Sequence, residues 1–273
     1  MRRSTVCALL LTLTASASAH AQAAAPTGAK PAPAIADNSF LVEEAYNQEF
    51  GVVQHISTFQ RAKDASWTYS FTQEWPAPSQ KHQLSYTVPI HRFDGAGTGL
   101  GDLALNYRYQ ALGRDEEPLW FSPRVSLYLP TGDVKKGRGA GGPGVEVMLP
   151  LSYALSDAVV THWDAGALFT RADNGVGASG NTTSLKAAAS AIWLVSNTFN
   201  LMLESTYGRF QSLNVLGKTE AENAFVVSPG MRGALNFKSG LQIVPGIAFP
   251  IGFGPSDGQR DVFLYLSFEH PFR

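Results

Sequence analysis

From about residue 52 onward, the sequence alternates between apolar and polar side chains one residue at a time. The stretch LALNYRYQ at 103–110 has leucine or tyrosine at every second position, with alanine, asparagine, arginine and glutamine between them. A period of two predicts a β-strand, because successive side chains of a strand point to opposite faces. Comparable segments lie at about 52–60, 67–75, 82–90, 99–110, 121–130, 145–155, 161–169, 184–195, 199–210, 224–237, 241–253 and 261–272.

The connections between these segments alternate in length. Short ones lie at 76–80, 113–118, 156–157, 196–197 and 238–240, and long ones at 91–99, 131–144, 171–181, 211–221 and 254–259. An even number of strands of about ten residues, joined alternately by short turns and long loops, is typical of outer-membrane β-barrels. We therefore predict an all-β fold over 52–273: a transmembrane antiparallel up-and-down β-barrel of about 12 strands, with short periplasmic turns and longer extracellular loops.

Composition agrees with a surface that faces lipid. Charged residues make up 16% of the chain, whereas water-soluble surfaces carry about 25–35%. Aromatic residues near the segment ends suit the two girdles of a membrane barrel: Trp67, Trp75, Tyr107, Tyr109, Phe225 and Phe237. Prolines inside the predicted strands lack a donor for the ladder and predict local bulges: Pro123, Pro150, Pro229, Pro245 and Pro250.

The first 51 residues divide into three parts. Residues 1–21 have two arginines, an apolar run and the small residues SASAHAQA, which together predict a secretory signal peptide. Residues 22–38 are rich in alanine and proline and predict a flexible tether. Residues 39–51 (SFLVEEAYNQEFG) form either a short helix or a plug at the barrel mouth. Cys7, the only cysteine, lies in the signal, so the exported chain has no disulfide or thiolate metal site.

Two neighbouring stretches resemble a known family. GLGDLALNYRYQAL at 99–112 and PRVSLYLPTGD at 123–133 are similar to the outer-membrane β-barrel family named for the meta-pathway of phenol degradation. The shared features are a Gly-Asp that enters an alternating strand and an apolar strand that ends in Pro-Thr-Gly-Asp. The resemblance implies a barrel of transporter type, with substrates of aromatic catabolism as cargo.

Sorting the strands by face predicts which polar side chains line the lumen. Both charge signs are present, so these groups either pair across the lumen or form a polar pathway that selects solutes. The candidates are Glu74, Asp102, Asn106, Arg108, Arg124, Glu146, His162, Asp164, Lys186, Glu204, Arg232 and Glu269.

Catalysis is the weaker interpretation. His55 and Ser57 are two apart on one strand, as in outer-membrane lipid hydrolases, but the asparagine that usually follows such a serine is absent. The sequence GRGAGG at 137–142 fits a phosphate-binding pattern, yet no βαβ unit surrounds it. With Lys135, Lys136 and Arg138 it predicts a basic extracellular loop. We expect no enzyme activity, no catalytic residue, no cofactor and no metal site.

These observations predict a channel or transporter in the outer membrane of a Gram-negative bacterium, for passive uptake of small solutes, aromatic or hydrophobic molecules among them. The alternatives are a closed structural or adhesive barrel with a plugged lumen and, less favoured, the hydrolase. The expected partners are outer-membrane lipid and lipopolysaccharide, a small-molecule solute, and the barrel-assembly machinery through the C-terminal strand DVFLYLSFEHPFR. A net charge of −1 gives no indication of nucleic-acid binding.

Overall fold

The computed structural model describes residues 35–113 and 117–271. The predicted signal peptide, most of the predicted tether and the last two residues lie outside these ranges. The described residues form twelve strands, five of them interrupted: β1 Val52–Arg61, β2 Trp67–Pro76, β3 His82–Phe93, β4 Gly97–Leu100 with Leu103–Tyr109, β5 Leu119–Phe121 with Arg124–Leu129, β6 Gly144–Met148 with Leu151–Ser156, β7 Val159–Asp173, β8 Ser179–Ser196, β9 Phe199–Leu213, β10 Thr219–Gly233 with Leu235–Asn236, β11 Gln242–Ala248 with Ile251–Gly252, and β12 Val262–Pro271.

Each strand pairs antiparallel with its neighbours, and the last strand returns to the first. In that seam Val52 lies opposite Pro271 and Arg61 opposite Val262. The sheet is therefore a closed barrel, as predicted, and closure removes the unpaired edge that could not exist in a membrane. Two short 3₁₀ helices, Val134–Lys136 and Gly254–Ser256, lie in connections. No helix of the described residues is long and apolar enough to cross a membrane.

The barrel wall is apolar outside and polar inside. In β4, Leu105 and Tyr107 are 49% and 41% exposed. Asn106 and Arg108, which alternate with them, are 6% and 2% exposed. Exposed leucines, valines and aromatic residues recur on the outer face of the other strands. In a water-soluble β-sandwich, the apolar side chains are inside and the polar ones outside. The opposite arrangement seen here is the one that a lipid-facing barrel requires.

The strands extend farther than predicted at one end of the barrel, which we call the loop end. Residues 171–181 and 211–221, predicted as long loops, are mostly paired, and their connections shrink to 174–178 and 214–218. The opposite end, which we call the turn end, holds the connections 77–81, 110–118, 157–158, 197–198 and 237–241 and both termini of the barrel wall.

Most of the predicted proline bulges coincide with breaks in the ladder. Pro123, Pro150 and Pro250 lie in the interruptions of β5, β6 and β11. Pro229 differs, because β10 runs through it in register with Leu203 of β9. The Pro229 carbonyl accepts the Phe249 N–H at the interruption of β11. The side of Pro229 that lacks an N–H therefore faces this interruption, and β10 needs no bulge. Pro245 similarly lies within β11, opposite Leu266.

The two stretches that carry the family resemblance meet at the loop end. The Asp102 carboxylate accepts the backbone N–H groups of Gly132 and Ala140 at 2.9 and 2.7 Å, and the Thr131 hydroxyl donates to the Gly101 carbonyl. A Cβ on Gly132 would collide with the Arg138 carbonyl oxygen. Asp102 therefore holds the connection 130–143 folded over the barrel mouth. Of the predicted basic loop, Lys135 and Lys136 are exposed, whereas Arg138 is buried.

We expect Asp102→Ala to release the connection 130–143, because two partly buried N–H groups lose their acceptor, at a cost of about 1–3 kcal/mol each. Limited trypsin digestion of the refolded protein should then cut after Lys135, Lys136 or Arg138 faster than in wild type. Asp157→Ala, in an exposed connection at the turn end, is the matched control. Equal cleavage of all three proteins would show that Asp102 does not hold the connection.

Candidate functional site

The lumen is occupied at the turn end by the chain that precedes β1. Every residue of Ile35–Gln48, which we call the lumen segment, is buried. It belongs to no strand and no helix of the described residues. Sequence analysis offered a short helix or a plug for residues 39–51 and placed residues 35–38 in a flexible tether. In the structure, residues 39–51 contain no helix, and residues 35–38 are buried in the lumen. The reason is that side chains of the wall satisfy the backbone of the segment group by group, so helical bonds are not required.

The segment enters beside the turn between β8 and β9. The Ile35 N–H donates to the Asn197 carbonyl at 2.8 Å. Asn200 and Arg232 then donate to the carbonyls of Ala36 and Asn38, both at 2.7 Å. Entry at the turn end is therefore fixed by β8, β9 and β10 through backbone atoms of the segment.

Carboxylates of the wall bind the middle of the segment. One oxygen of Glu204 accepts the N–H groups of Phe40 and Leu41 at 2.8 and 2.7 Å. Asp164 accepts the N–H of Glu43 at 2.6 Å. Because Glu204 is fully buried, these donors provide the hydrogen bonds that a carboxylate needs away from water.

Neutral polar side chains bind the returning part of the segment. Ser122 donates to the Ala45 carbonyl, and Ser152 accepts the Ala45 N–H at 2.8 Å. The side-chain oxygens of Gln110 and Gln83 accept the N–H groups of Asn47 and Gln48.

Two buried arginines bind both the segment and the wall. Arg108 donates to the carbonyls of Glu44 and Tyr46 and to the side chain of Asn47. Arg124 pairs with Glu43 at 2.7 Å and with Glu146 at 3.0 Å. The segment therefore supplies part of the coordination that these guanidinium groups require.

Apolar contacts complete the packing. Phe40 packs against Phe263 and Tyr265, with ring centres 5.5 and 5.1 Å apart. Tyr46 meets Trp120 edge-on at 4.9 Å.

The structure brings seven of the twelve predicted lumen residues into contact with the segment. Those whose side chains bind it directly are Arg108, Arg124, His162, Asp164, Glu204, Arg232 and Glu269. Glu269 hydrogen-bonds Gln48 of the segment and Gln54 of the wall. The others have partners on the wall or at the loop end: Glu74 binds Gln83, Asn106 binds Arg124, Lys186 binds Glu146, and Asp102 binds the connection at the loop end.

Sequence analysis missed the neutral members of the site, Gln83, Ser122 and Ser152. Alternation places them on the inner face, but serine and glutamine occur on so many surfaces that they gave no functional signal. It also missed Glu43 and Glu44, whose adjacent charges in an otherwise apolar stretch were the available sign that this segment has cationic partners.

On the loop side of the segment, the lumen remains hollow. One cavity of about 360 Å³ is lined by His91, Tyr128 and Leu168 among others. A second of about 360 Å³ has Leu41 of the segment in its lining, with Asp164 and Lys186 on the wall. The lumen is therefore hollow in its loop-side part, beneath the connection 130–143, and filled toward the turn end.

Burial in the lumen raises the pKa of Glu44 well above its ordinary value. Arg108 opposes this rise, and the neighbouring carboxylates Glu74 and Glu43 add to it. The docked segment therefore favours the protonated Glu44 more strongly than a segment released into water would.

The candidate hydrolase pair does not form a catalytic arrangement in this structure. His55 Nε2 lies 3.3 Å from His270 Nε2, and Ser57 Oγ lies 3.1 Å from the Tyr69 hydroxyl. Both side chains are on the outer face of β1 and alternate with the inward Gln54 and Ile56. A serine nucleophile requires a base within hydrogen-bond reach, and the partner of Ser57 here is a tyrosine.

Replacing Glu204 tests whether the wall holds the segment. We expect Glu204→Ala to increase release of the segment, because the N–H groups of Phe40 and Leu41 lose their acceptor. Glutamyl endopeptidase should then cut after Glu43 or Glu44 faster than in wild type, as measured by mass spectrometry of the N-terminal fragment. Glu222→Ala, in an exposed part of β10, is the control. Protection equal to wild type would show that Glu204 is dispensable for docking.

Comparison with known proteins identifies the fold. No protein-family model matches the chain, and no curated protein does. Among solved structures, the COG4313 outer membrane channel from Pseudomonas putida F1 is similar with a TM-score of 0.62 and 12% identity, over 84% of this chain and 98% of that one. The KdgM porin is similar with a TM-score of 0.50 and 7% identity, over 81% and 99% of the two chains. At these identities the similarity shows that the chain has the fold of outer-membrane β-barrels.

Proposed function

We propose that the protein is an outer-membrane channel for passive uptake of small solutes, and that the lumen segment is its plug. The observation that carries the proposal is that a hollow, polar lumen ends at a segment outside the sheet, held by hydrogen bonds, ion pairs and packing. Such a segment can leave without breaking a strand pairing of the barrel. The COG4313 channel and the KdgM porin, named for such activities, support the same interpretation.

The cargo that suits this lumen is small and amphipathic. The loop-side cavities combine apolar walls, such as Leu168 and Phe93, with hydroxyl groups, such as Thr170 and Tyr128. Aromatic and hydrophobic molecules with one polar group match this lining, in agreement with the family resemblance. The proposed setting is the outer membrane of a Gram-negative bacterium, with exposed Lys135 and Lys136 at the loop end facing lipopolysaccharide.

One observation favours a second function, a closed structural barrel. All of Ile35–Gln48 is buried, and the segment completes the coordination of Arg108 and Arg124. If the segment never leaves, the barrel conducts nothing and its exposed connections remain the surface available for function.

A reversible cross-link distinguishes the two functions. The hydroxyl oxygens of Ser39 in the segment and Ser190 in β8 are 2.6 Å apart, close to the roughly 2.05 Å of a disulfide. Residues 22–273 contain no cysteine, so Ser39→Cys with Ser190→Cys introduces a single lock. We expect conductance steps in a planar bilayer for the reduced protein, loss of the steps on oxidation, and recovery with dithiothreitol.

The controls are wild type and the two single cysteine variants, none of which should respond to oxidation. Membrane insertion without conductance under reducing conditions, in wild type and variant alike, would favour the closed barrel. Conductance that persists in the fully oxidised double variant would show that the segment is not the plug.

The raised pKa of Glu44 predicts the direction of pH dependence. Released Glu44 ionises near its ordinary pKa of about 4.3, whereas docked Glu44 keeps its proton to higher pH. Docking is therefore strongest below about 4.3 and weakens as the pH rises toward the docked pKa. Open probability in the bilayer should increase over that interval.

Glu44→Gln should flatten this dependence and lower the open probability at neutral pH, because glutamine stays uncharged in both states. Asp157→Asn, in an exposed connection at the turn end, is the control outside the lumen and should retain the wild-type profile. An unchanged profile in Glu44→Gln would assign the pH dependence to another group.

A further inference from the structure

Two histidines face each other on the outer wall, across the seam that closes the barrel. His55 is on β1 and His270 is on β12, both near the turn end. Their Nε2 atoms are 3.3 Å apart, whereas their ring centres are 5.3 Å apart. The two nitrogens are therefore the closest parts of the rings and point toward one another.

We propose that His55 and His270 bind one divalent transition-metal ion of the zinc and copper class. Zinc binds histidine nitrogen at about 2.0–2.1 Å in tetrahedral geometry, which places two such nitrogens about 3.3–3.4 Å apart. The observed separation of 3.3 Å between the two Nε2 atoms matches this nitrogen–nitrogen distance. Only small ring rotations are needed to bring both lone pairs onto one ion.

The second ring nitrogen of His270 supports this assignment. His270 Nδ1 donates to the Pro271 carbonyl at 3.1 Å. With its proton on Nδ1, the neutral imidazole presents an unprotonated Nε2 to the seam. Metal-binding histidines use this arrangement, in which the other ring N–H donates to a backbone carbonyl and fixes the tautomer.

The remaining coordination positions are open. No group of three or more His, Cys, Asp or Glu side chains suited to a metal is found among the described residues, so water would complete the shell. Without metal, a hydrogen bond between the two Nε2 atoms needs one proton, which sits on His55 when His270 is protonated on Nδ1. Metal binding moves that proton to Nδ1 of His55.

Such a site joins the first strand to the last. Val53 of β1 lies opposite His270, and Phe268 of β12 lies opposite His55. An ion held by both side chains therefore links strands that are otherwise joined by their ladder and packing. Because the ion binds the closed barrel and not separated strands, it stabilises the folded state by an amount that grows with the logarithm of its concentration.

The test uses the refolded exported chain, residues 22–273, in detergent micelles without a histidine tag. We expect Cu²⁺ to bind with a stoichiometry of one and to give an electron paramagnetic resonance spectrum with coupling to two imidazole nitrogens. Zn²⁺ should raise the unfolding temperature of the wild-type protein. His55→Gln and His270→Gln should each weaken binding roughly tenfold or more.

His82→Gln is the matched control, because His82 is also on the outer wall, near the turn end, and bonds Tyr107 instead of a second histidine. Metal-free unfolding temperatures of all variants report whether each still folds. Metal affinity unchanged in both His55→Gln and His270→Gln, or a spectrum without two equivalent nitrogens, would overturn the proposal. The result is independent of conductance, so the channel and the metal site can fail separately.

Discussion

The mutual satisfaction of buried polar groups is the constraint on which this structure depends. A barrel of twelve strands is intermediate between eight-stranded barrels, which side chains fill, and sixteen-stranded barrels, which leave an aqueous channel. The sequence places carboxylates and arginines on that face, and each needs a partner once water is limited. The lumen segment provides backbone N–H groups for Glu204 and Asp164 and backbone carbonyls for Arg108 and Arg232. Segment and wall are therefore each incomplete without the other.

The strand pattern and the inner face could be predicted from the sequence because both follow from local geometry. Alternation alone assigns Asn106, Arg108 and Glu146 to the lumen, and all three are buried there. The ends of the strands were harder to predict from the sequence. Residues such as Arg171 and Asn181 pair in a part of the ladder that extends beyond the apolar belt. In that region the outward-facing positions are no longer apolar, so the sequence resembles that of a loop.

The position of the lumen segment could not be predicted from the sequence for a different physical reason. Most of its backbone bonds go to side chains more than sixty residues away in the chain, such as Gln110, Asp164 and Glu204. No periodicity records such contacts, because the N–H groups of the segment meet side chains from several strands of the wall. The proline- and alanine-rich composition before residue 39 resembles a free linker, although Ile35–Asn38 are buried. A search for charged residues in apolar surroundings would have identified Glu43 and Glu44, but not their partners.

Charge balance bears on the proposed release of the segment from the barrel. In the docked state, Asp37, Glu43 and Glu44 add acidic groups to a lumen whose carboxyls already outnumber its arginines and lysine. Docking of the segment is therefore favoured by protonation of these acidic groups and by their attraction to Arg108 and Arg124. Repulsion between the added acidic groups and the carboxylates of the wall opposes it. On the wall itself, Arg124 and Lys186 keep Glu146 as a common partner after the segment has left. An emptied lumen would thus retain its internal ion pairs and gain water at the positions that the segment had filled. Under the proposed function, a lumen with both signs of charge would favour neutral or amphipathic solutes over strongly charged ones.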